Sequence, residues 1–378
     1  MNKRILIAPN SFKNCADSVT LAELIKQNLS TLTDVGIISK PVSDGGDGFL
    51  NVCKHYYGGE IINYFISTPY DNSKFECPIL YCEQRKEVYI ESADVLGLKV
   101  VPKTYRNPLK LTSKGLGNLL IKIENNVQKG KINVENVFIG IGGTATIDMG
   151  MGMMSELGLI LLDSNGELLN VIPENFHRAE RIDYTEMKFS FELIPIVDVS
   201  NSLFGMDGGI HTFGKQKGAN EKSILVLENN FNHLCNLFIN NGLSFSSQVL
   251  SGAGGGIPAS LQIFYGTSII NSSKFIMYNL EIEQYSDIMN YVITGEGAFD
   301  NQSRLGKGAG VIIDLFTPKV ELIFLLAGSI TDQSRKQLPK SVFPIELSKY
   351  FISEFESIKN YKVGLEMACE EIIKQLNF

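Results

Sequence analysis

Tryptophan is absent from this 378-residue chain, histidine occurs only four times, and the six cysteines include no C-x-x-C pair. Cys15, Cys53, Cys77, Cys82, Cys235 and Cys369 are scattered, which indicates neither a zinc knuckle nor a disulfide framework. His55, His177, His211 and His233 have no second histidine or cysteine at ligand spacing, and we assign them no chemistry. Basic residues number 34 against 41 acids, and the formal net charge of −7 disfavours nucleic-acid or membrane-surface partners, since either wants a basic patch. No apolar run approaches a membrane span, and MNKRILIAPNS is too short before its proline to be a secretory segment, so a cytoplasmic protein is expected. At 44% hydrophobic and 20% charged residues the composition is that of an ordinary globular protein, and the length favours two domains.

What the chain has is glycine beside acids, most visibly in VFIGIGGTATIDMGMGMMSELG, from Val137 to Gly158. Val137 to Ile141 reads as a buried strand, Gly142 and Gly143 follow, and Met153, Met154 and Leu157 then recur at helical spacing. Strand, glycine turn and helix start together suit a phosphate, because backbone N–H groups turn outward and the helix adds partial positive charge. One such turn is equally an ordinary feature of α/β proteins, but others follow the same form. Arg4 to Ala8 is a strand before Asn10, Ser11 and Lys13, with a helix from Ser18 capped by Asp17 or Ser18. Val35 to Ser39 leads into PVSDGGDGF with Asp44 and Asp47, Leu193 to Val197 ends at Asp198, and Tyr291 to Thr294 precedes GEGAFDNQSRLGKGAG with Gly295, Glu296, Asp300 and Lys307.

Residues 60 to 92 change character, with short β-rich runs at hairpin spacing, and a helix starts at Thr112 or Ser113. Further strands are read at 159–162, 320–326 and 342–346, and helices at 220–241, about 350–357 and 363–376. The β-α order at both ends around a middle of different character predicts a doubly wound parallel-sheet domain interrupted by a second, with breaks near 70 and 280: 1–70 plus 280–378, and 71–279.

Three phosphate signatures are testable. Gly140-Ile-Gly142-Gly-Thr-Ala145 fits a dinucleotide fingerprint, with Asp163 as its ribose acid, and makes an NAD-dependent oxidoreductase a rival reading. Gly209 to Lys215 fits a P-loop only until Gln216 stands where a hydroxyl is required, and the protein-kinase signature set is absent. What remains is a recurrence at strand ends of carboxylates, Asp44/Asp47, Asp148, Asp198 and Glu296/Asp300, with Lys13, Lys217 and Lys307. Phosphoryl transfer uses N–H groups and lysine for phosphates, carboxylates for Mg²⁺ and one carboxylate as base, whereas hydride transfer needs no such supply of acids.

IAPNSFK, PVSDGGDG, RNPLKLTSKGLG, GIGGTATIDMGMGMMSELG, VDVSNSLFG, FGKQKGA, SGAGGG and VITGEGAFDNQSRLGKGAG, in that order, resemble the bacterial glycerate kinases of the glyoxylate- and galactarate-pathway type, from about residue 4 to 313. The resemblance implies a Rossmann-like domain carrying an inserted mixed α/β domain, and ATP-dependent phosphorylation of D-glycerate with Mg²⁺, most often to 2-phosphoglycerate. On it we expect Lys13, Asp44 and Asp198 to be catalytic, with Asp198 or Asp44 the base and Lys13 and Lys307 on transition-state charge. Asn10, Ser11, Arg106, Gly142, Gly143, Thr144, Asp148, Gly254, Gly255, Gly295, Glu296 and Lys307 would bind substrate or nucleotide, Arg106 taking the carboxylate, while Asp300 and Asp198 would face Mg²⁺. Partners would be ATP and a small hydroxy acid, with a homodimer one option for assembly. The family usually has Asp at Asn10, Gly at Asn14, Asn at Ile147, Gly at Met149, Pro at Ser202, Arg at Ala298 and Pro at Ala309. These departures keep open a different substrate, or a catalytically impaired homologue that binds nucleotide or metabolite.

Overall fold

Ile5, Leu6, Ile7 and Ala8 are all fully buried, and because successive strand residues face opposite sides, such a run belongs inside a sheet covered on both faces. A computed structural model, which describes residues 3–376 apart from Asn14, Glu186, Arg304 and Leu305, places them there, in β1 (Arg4–Pro9). The departure noted at Asn14 lies outside the described residues. The strands that follow are β2 (Gly36–Ser39), β3 (Glu60–Ser67), β4 (Lys74–Cys82), β5 (Glu87–Glu91), β6 (Asn136–Ile141) and β7 (Leu159–Leu162). After them come β8 (Arg181–Tyr184), β9 (Glu192–Val197), β10 (Ile270–Asn271), β11 (Tyr291–Phe299), β12 (Leu322–Ile330) and β13 (Val342–Glu346). Mixed α/β architecture with parallel sheets is the result, divided into two units, residues 1–56 with 271–378 and residues 57–270.

The first unit carries one sheet in the order β13-β12-β11-β1-β2, and its neighbouring strands are paired in parallel. From β1 the chain steps to β2 on one side, while β11, β12 and β13 build outward on the other. The order therefore reverses between β1 and β11, the switch point where open α/β sheets hold ligands at the carboxyl ends of the strands. Helix Ser18–Leu32 covers this sheet because Leu21, Ala22, Ile25 and Leu29 recur on one face and pack with Ile5, Ile7, Leu365, Ala368 and Ile372. Asp17 starts it by accepting from the N–H groups of Val19 and Thr20, both at 3.0 Å.

The second unit's main sheet runs β10-β9-β6-β5-β4-β3. β3, β4 and β5 are antiparallel, which accounts for the hairpin spacing of residues 60 to 92, and β5, β6 and β9 are parallel. β7 pairs with β8, antiparallel, in a separate ribbon. Helices Lys114–Gln128 and Glu221–Asn240 place Leu116, Leu120, Leu227 and Phe231 in the same apolar core as Ile139 and Ile141.

Two strands exceed their sequence reading. β11 runs on to Phe299 and β12 to Ile330, because the parallel ladder continues through Ala298 opposite Ser329 and Phe299 opposite Ile330. Glu296 consequently sits in a strand and not in a turn. Helices Phe49–Tyr57 and Ser92–Leu96 have no counterpart in that reading, being short and anchored by burial of Phe49, Val52, Ala93 and Val95.

Met149 has φ of +55° and is fully buried in the second unit's core. A side chain in the left-handed region costs about 1 kcal/mol, whereas removing a buried methionine costs roughly 2–5 kcal/mol. Met149→Gly is therefore expected to lower stability by about 2 kcal/mol despite relieving the backbone. Denaturant unfolding measures it, and a variant more stable than the parent would show that backbone strain outweighs packing here.

Candidate functional site

The site residues fall into two groups, one in each unit. In the first, Asn10 follows β1 and its N–H donates to Gly295 O of β11 at 2.8 Å, across the switch point. Its side-chain oxygen accepts from Ser11 N at 2.9 Å, which fixes the amide orientation and turns Nδ2 toward Asp44 Oδ2 at 2.8 Å. Asp44, in the loop after β2, also accepts from Gly46 N at 3.2 Å and from Gly308 N at 3.5 Å. Gly308 opens helix Gly308–Phe316, whose N-terminus favours negative charge. A Cβ on Gly308 would stand 2.7 Å from the Asn10 amide, so only glycine lets this helix approach. Asn10 is a neutral donor where an aspartate would set two carboxylates against each other.

Glu296 lies in β11, 7% exposed, and its Oε1 has no hydrogen-bond partner among the described residues. Burial pushes its pKa up to about 7, with the Asp44 and Asp300 charges adding to the rise and Ser303 and Lys307 opposing it. Asp300 closes a tight turn by accepting from Gln302 N at 2.8 Å and Ser303 N at 3.1 Å. Lys307 precedes the helix and reaches Gln302 Oε1 at 3.3 Å. Lys13 is exposed in the turn bridged by Phe12 and Ala16. Asn10, Ser11, Lys13, Asp44, Gly295, Glu296, Asp300 and Lys307 thus share the carboxyl edge of one parallel sheet.

In the second unit, β6 ends at Ile141, and Gly142 is tied to Ser92, whose Oγ accepts from Gly142 N and donates to Gly142 O, each at 3.1 Å. Gly143 O accepts from Leu98 N at 3.2 Å, and Thr144 bridges Gly97. Asp148 is fully buried and accepts from four donors: Ser113 N at 2.6 Å, Ser113 Oγ at 2.7 Å, Gly152 N at 3.1 Å and Gly150 N at 3.2 Å. Burial raises its pKa, and these hydrogen bonds work against the rise. Asp198 stands directly after β9, half-buried.

Gly254 and Gly255 meet protein here: Met149 N donates to Gly255 O at 3.0 Å, and a Cβ on Gly255 would lie 2.1 Å from Thr146 O. Arg106 is half-buried and donates through Nη2 to Leu98 O at 2.7 Å and through Nε to Val101 O at 3.2 Å. Ile147 belongs to the core at 1% exposure. Its side chain therefore faces away from the polar atoms of its own turn.

Sequence reasoning underweighted Lys217. It is 4% exposed, with Nζ donating to Thr144 Oγ1 at 2.8 Å and to Thr146 O at 3.1 Å. Burial pushes its pKa down to about 7 against the pull of Asp148 and Asp198. Nothing in FGKQKGA distinguishes exposed Lys215 from buried Lys217 except which side of one short turn each occupies.

The dinucleotide reading finds no matching geometry. Asp163 follows β7 of the antiparallel ribbon, where its Oδ1 accepts from Asn165 N at 2.9 Å and Glu167 N at 3.0 Å and its Oδ2 from Arg178 Nη2 at 3.1 Å. It is a turn residue paired with an arginine. Gly209–Gly214 is helical and forms no phosphate loop.

Comparison with known proteins bears on the same residues. A family model described as the glycerate kinase family matches residues 5–377. Glycerate 2-kinase of Escherichia coli (strain K12) is 31% identical over 335 residues, covering 87% of this chain and 86% of that protein. Glycerate kinase of Neisseria meningitidis serogroup B is 27% identical over 384 residues, covering 99% of each. The crystal structure of a protein assigned provisionally as glycerate kinase 2, from Salmonella typhimurium LT2, superposes with a TM-score of 0.78 at 27% identity, over 100% of this chain and 99% of that one.

The two shifted groups give stability an unusual pH dependence. Between its ordinary 4.5 and about 7, Glu296 holds more protons folded than unfolded, so stability falls as pH rises through that window. Between about 7 and its ordinary 10.5, Lys217 holds fewer protons folded than unfolded, so stability rises with pH. Glu296→Gln is expected to flatten the first slope and to stabilise the protein at neutral pH by on the order of 1–3 kcal/mol. Denaturant unfolding across this range tests it, and a variant that keeps the parent's acid-side slope contradicts the assignment.

Proposed function

The chain belongs to the glycerate kinase family, and we propose that it transfers the γ-phosphoryl group of ATP to the 2-hydroxyl of D-glycerate, giving 2-phosphoglycerate. What carries this reading is the grouping of acids and lysines at the carboxyl ends of parallel strands in both units, in a chain whose relatives are glycerate kinases over nearly their full length. The substrate hydroxyl oxygen attacks the γ-phosphorus, the bond from that phosphorus to the bridging oxygen breaks, and ADP leaves. Asp44 or Asp198 takes the hydroxyl proton. Lys13 and Lys307 meet the charge that builds on the phosphoryl oxygens.

The N–H groups of Gly143 and Thr144 suit phosphate or the substrate carboxylate, whereas Gly142 N is held by Ser92 and the glycines at 254 and 255 pack against protein. Arg106 spends two of its five N–H groups on backbone carbonyls, and a guanidinium's others can take a carboxylate. Asp148 acts indirectly, by holding the turn after β6. Asn10 and Ser11 set the position of Asp44, whose charge is directed by donors from three separate stretches of chain.

Mg²⁺ belongs to this reading. Such an ion keeps several waters and phosphate oxygens and needs only one or two protein carboxylates. Among the described residues no cluster of three or more His, Cys, Asp or Glu forms a cage. The uncommitted Oε1 of Glu296 is a hard oxygen of the kind it takes, and Asp300 or Asp198 are the residues we assign to it. When bound, the ion neutralises phosphate charge. We place the protein in the cytoplasm, consistent with no helix among the described residues being long and apolar enough to cross a membrane.

Release of ADP with ATP, Mg²⁺ and a panel of hydroxy acids led by D-glycerate tests the reading. Turnover of D-glycerate is expected, and Lys13→Ala and Asp198→Ala should each lower kcat by about 100-fold or more with the fold intact. Near-parental turnover in both variants removes the mechanism. ATP binding with no acid phosphorylated would favour an impaired homologue, and NAD(H) binding by fluorescence titration an oxidoreductase.

A further inference from the structure

Lys217 is the only lysine or arginine that is buried among the described residues. Its position follows from the chain around it. The short turn Lys215–Lys217 closes helix Gly209–Gly214, and Gly218, at φ +96°, turns the backbone away. A Cβ on Gly218 would lie 2.4 Å from Arg106 O, so no other residue fits there without displacement. The lysine side chain is thereby carried inward to Thr144 Oγ1 and Thr146 O.

The charged groups facing it are Asp148, from the loop after β6, and Asp198, from the loop after β9. Arg106, on the segment packed against Gly218, directs its guanidinium to Leu98 O and Val101 O instead. Thr146 Oγ1 is buried with no partner among the described residues. Taking an ammonium out of water is costly, and a methionine of similar length would fill the space without that penalty. Packing alone therefore does not account for a lysine here.

We propose that Lys217 is a positioning residue for phosphoryl transfer: its buried ammonium pins the Thr144–Thr146 turn after β6 and balances the Asp148 and Asp198 carboxylates, so that the N–H groups of Gly143 and Thr144 are preset for an anionic group of the substrate. The proposal rests on the kinase reading for its second half and on geometry alone for its first. A preset turn adds no contact to the ground state that a loose turn would not make. It removes the reorganisation otherwise required when charge develops.

The test has two arms on the full-length protein. Hydrogen exchange at fixed pH compares the parent with Lys217→Met, and peptides covering 142–149 should exchange at least about tenfold faster in the variant while helix Ser18–Leu32 is unchanged. Turnover of D-glycerate should fall about 100-fold in the same variant, and the decline in the parent's kcat/KM above about pH 7, where the ammonium deprotonates, should be missing from the variant's profile. Lys217→Gln, which keeps a neutral donor, should retain much of the protection but also lack that limb. Equal exchange in 142–149 overturns the proposal, as does faster exchange with unchanged turnover and pH profile. Global unfolding of both variants assigns Lys217 to the fold alone and overturns it too. A parent that phosphorylates no D-glycerate defeats the kinase reading, while the exchange arm still decides whether the lysine pins the turn.

Discussion

A carboxylate with no access to water has to be met by donors, and Asp148 is the place where the second unit meets that demand most completely. Its four donors come from Ser113, at the start of helix Lys114–Gln128, and from Gly150 and Gly152, at the start of helix Met151–Glu156. One buried charge thus fixes the turn after β6 relative to the starts of two helices. Lys217 completes the arrangement from the other side, bonding to the same turn two and four residues before Asp148. The apolar residues between these polar contacts, Ile147 and Met149, point into the core and anchor the turn from beneath. Polar tethering on one face and apolar packing on the other leave the turn little freedom.

The first unit solves a similar problem with less charge buried. Its edge residues sit where the strand order reverses, and the geometry there is held by an amide: Asn10, directly after β1, bonds to β11 and to the Asp44 loop through two hydrogen bonds. Asp44 in turn lies at the N-terminus of helix Gly308–Phe316, so backbone dipoles add to the donors that hold it. Glu296 is the exception, buried with an oxygen unpartnered and shifted toward neutrality. Burial of uncompensated polar groups concentrates at functional sites, and here it lies on the strand next to the switch point.

Much of this was legible in the residues. The runs Arg4 to Ala8, Val137 to Ile141 and Tyr291 to Thr294 announce buried strands by continuous apolar character, and Asp17 marks a helix start by cap chemistry, whereas Ser113, at the start of another, turns its hydroxyl to Asp148. Glycine–acid loops after those strands point to the carboxyl edges. What the residues could not display is how side chains are shared. Gly254 and Gly255 resemble a ligand cradle in sequence, and in the fold Gly254 packs against the Ile141 side chain and Gly255 against the 146–149 backbone. Arg106 reads as an anion clamp and holds two carbonyls. Asn10 reads as the loss of a carboxylate and proves to be a donor to the neighbouring one. The strand end near Glu296 is hidden for a related reason, since ladder pairing with β12 overrides the local preference of glycine for turns.

The central claim is electrostatic: a buried ammonium, balanced by Asp148 and Asp198, holds the turn that follows β6. Its most direct test is the titration of the Lys217 side chain by NMR on protein labelled with ¹³C at lysine, with the signal assigned by its loss in Lys217→Met. A midpoint near 7 is expected, far below the ordinary 10.5. A midpoint at the ordinary 10.5 would mean the ammonium is solvated, and would contradict the account.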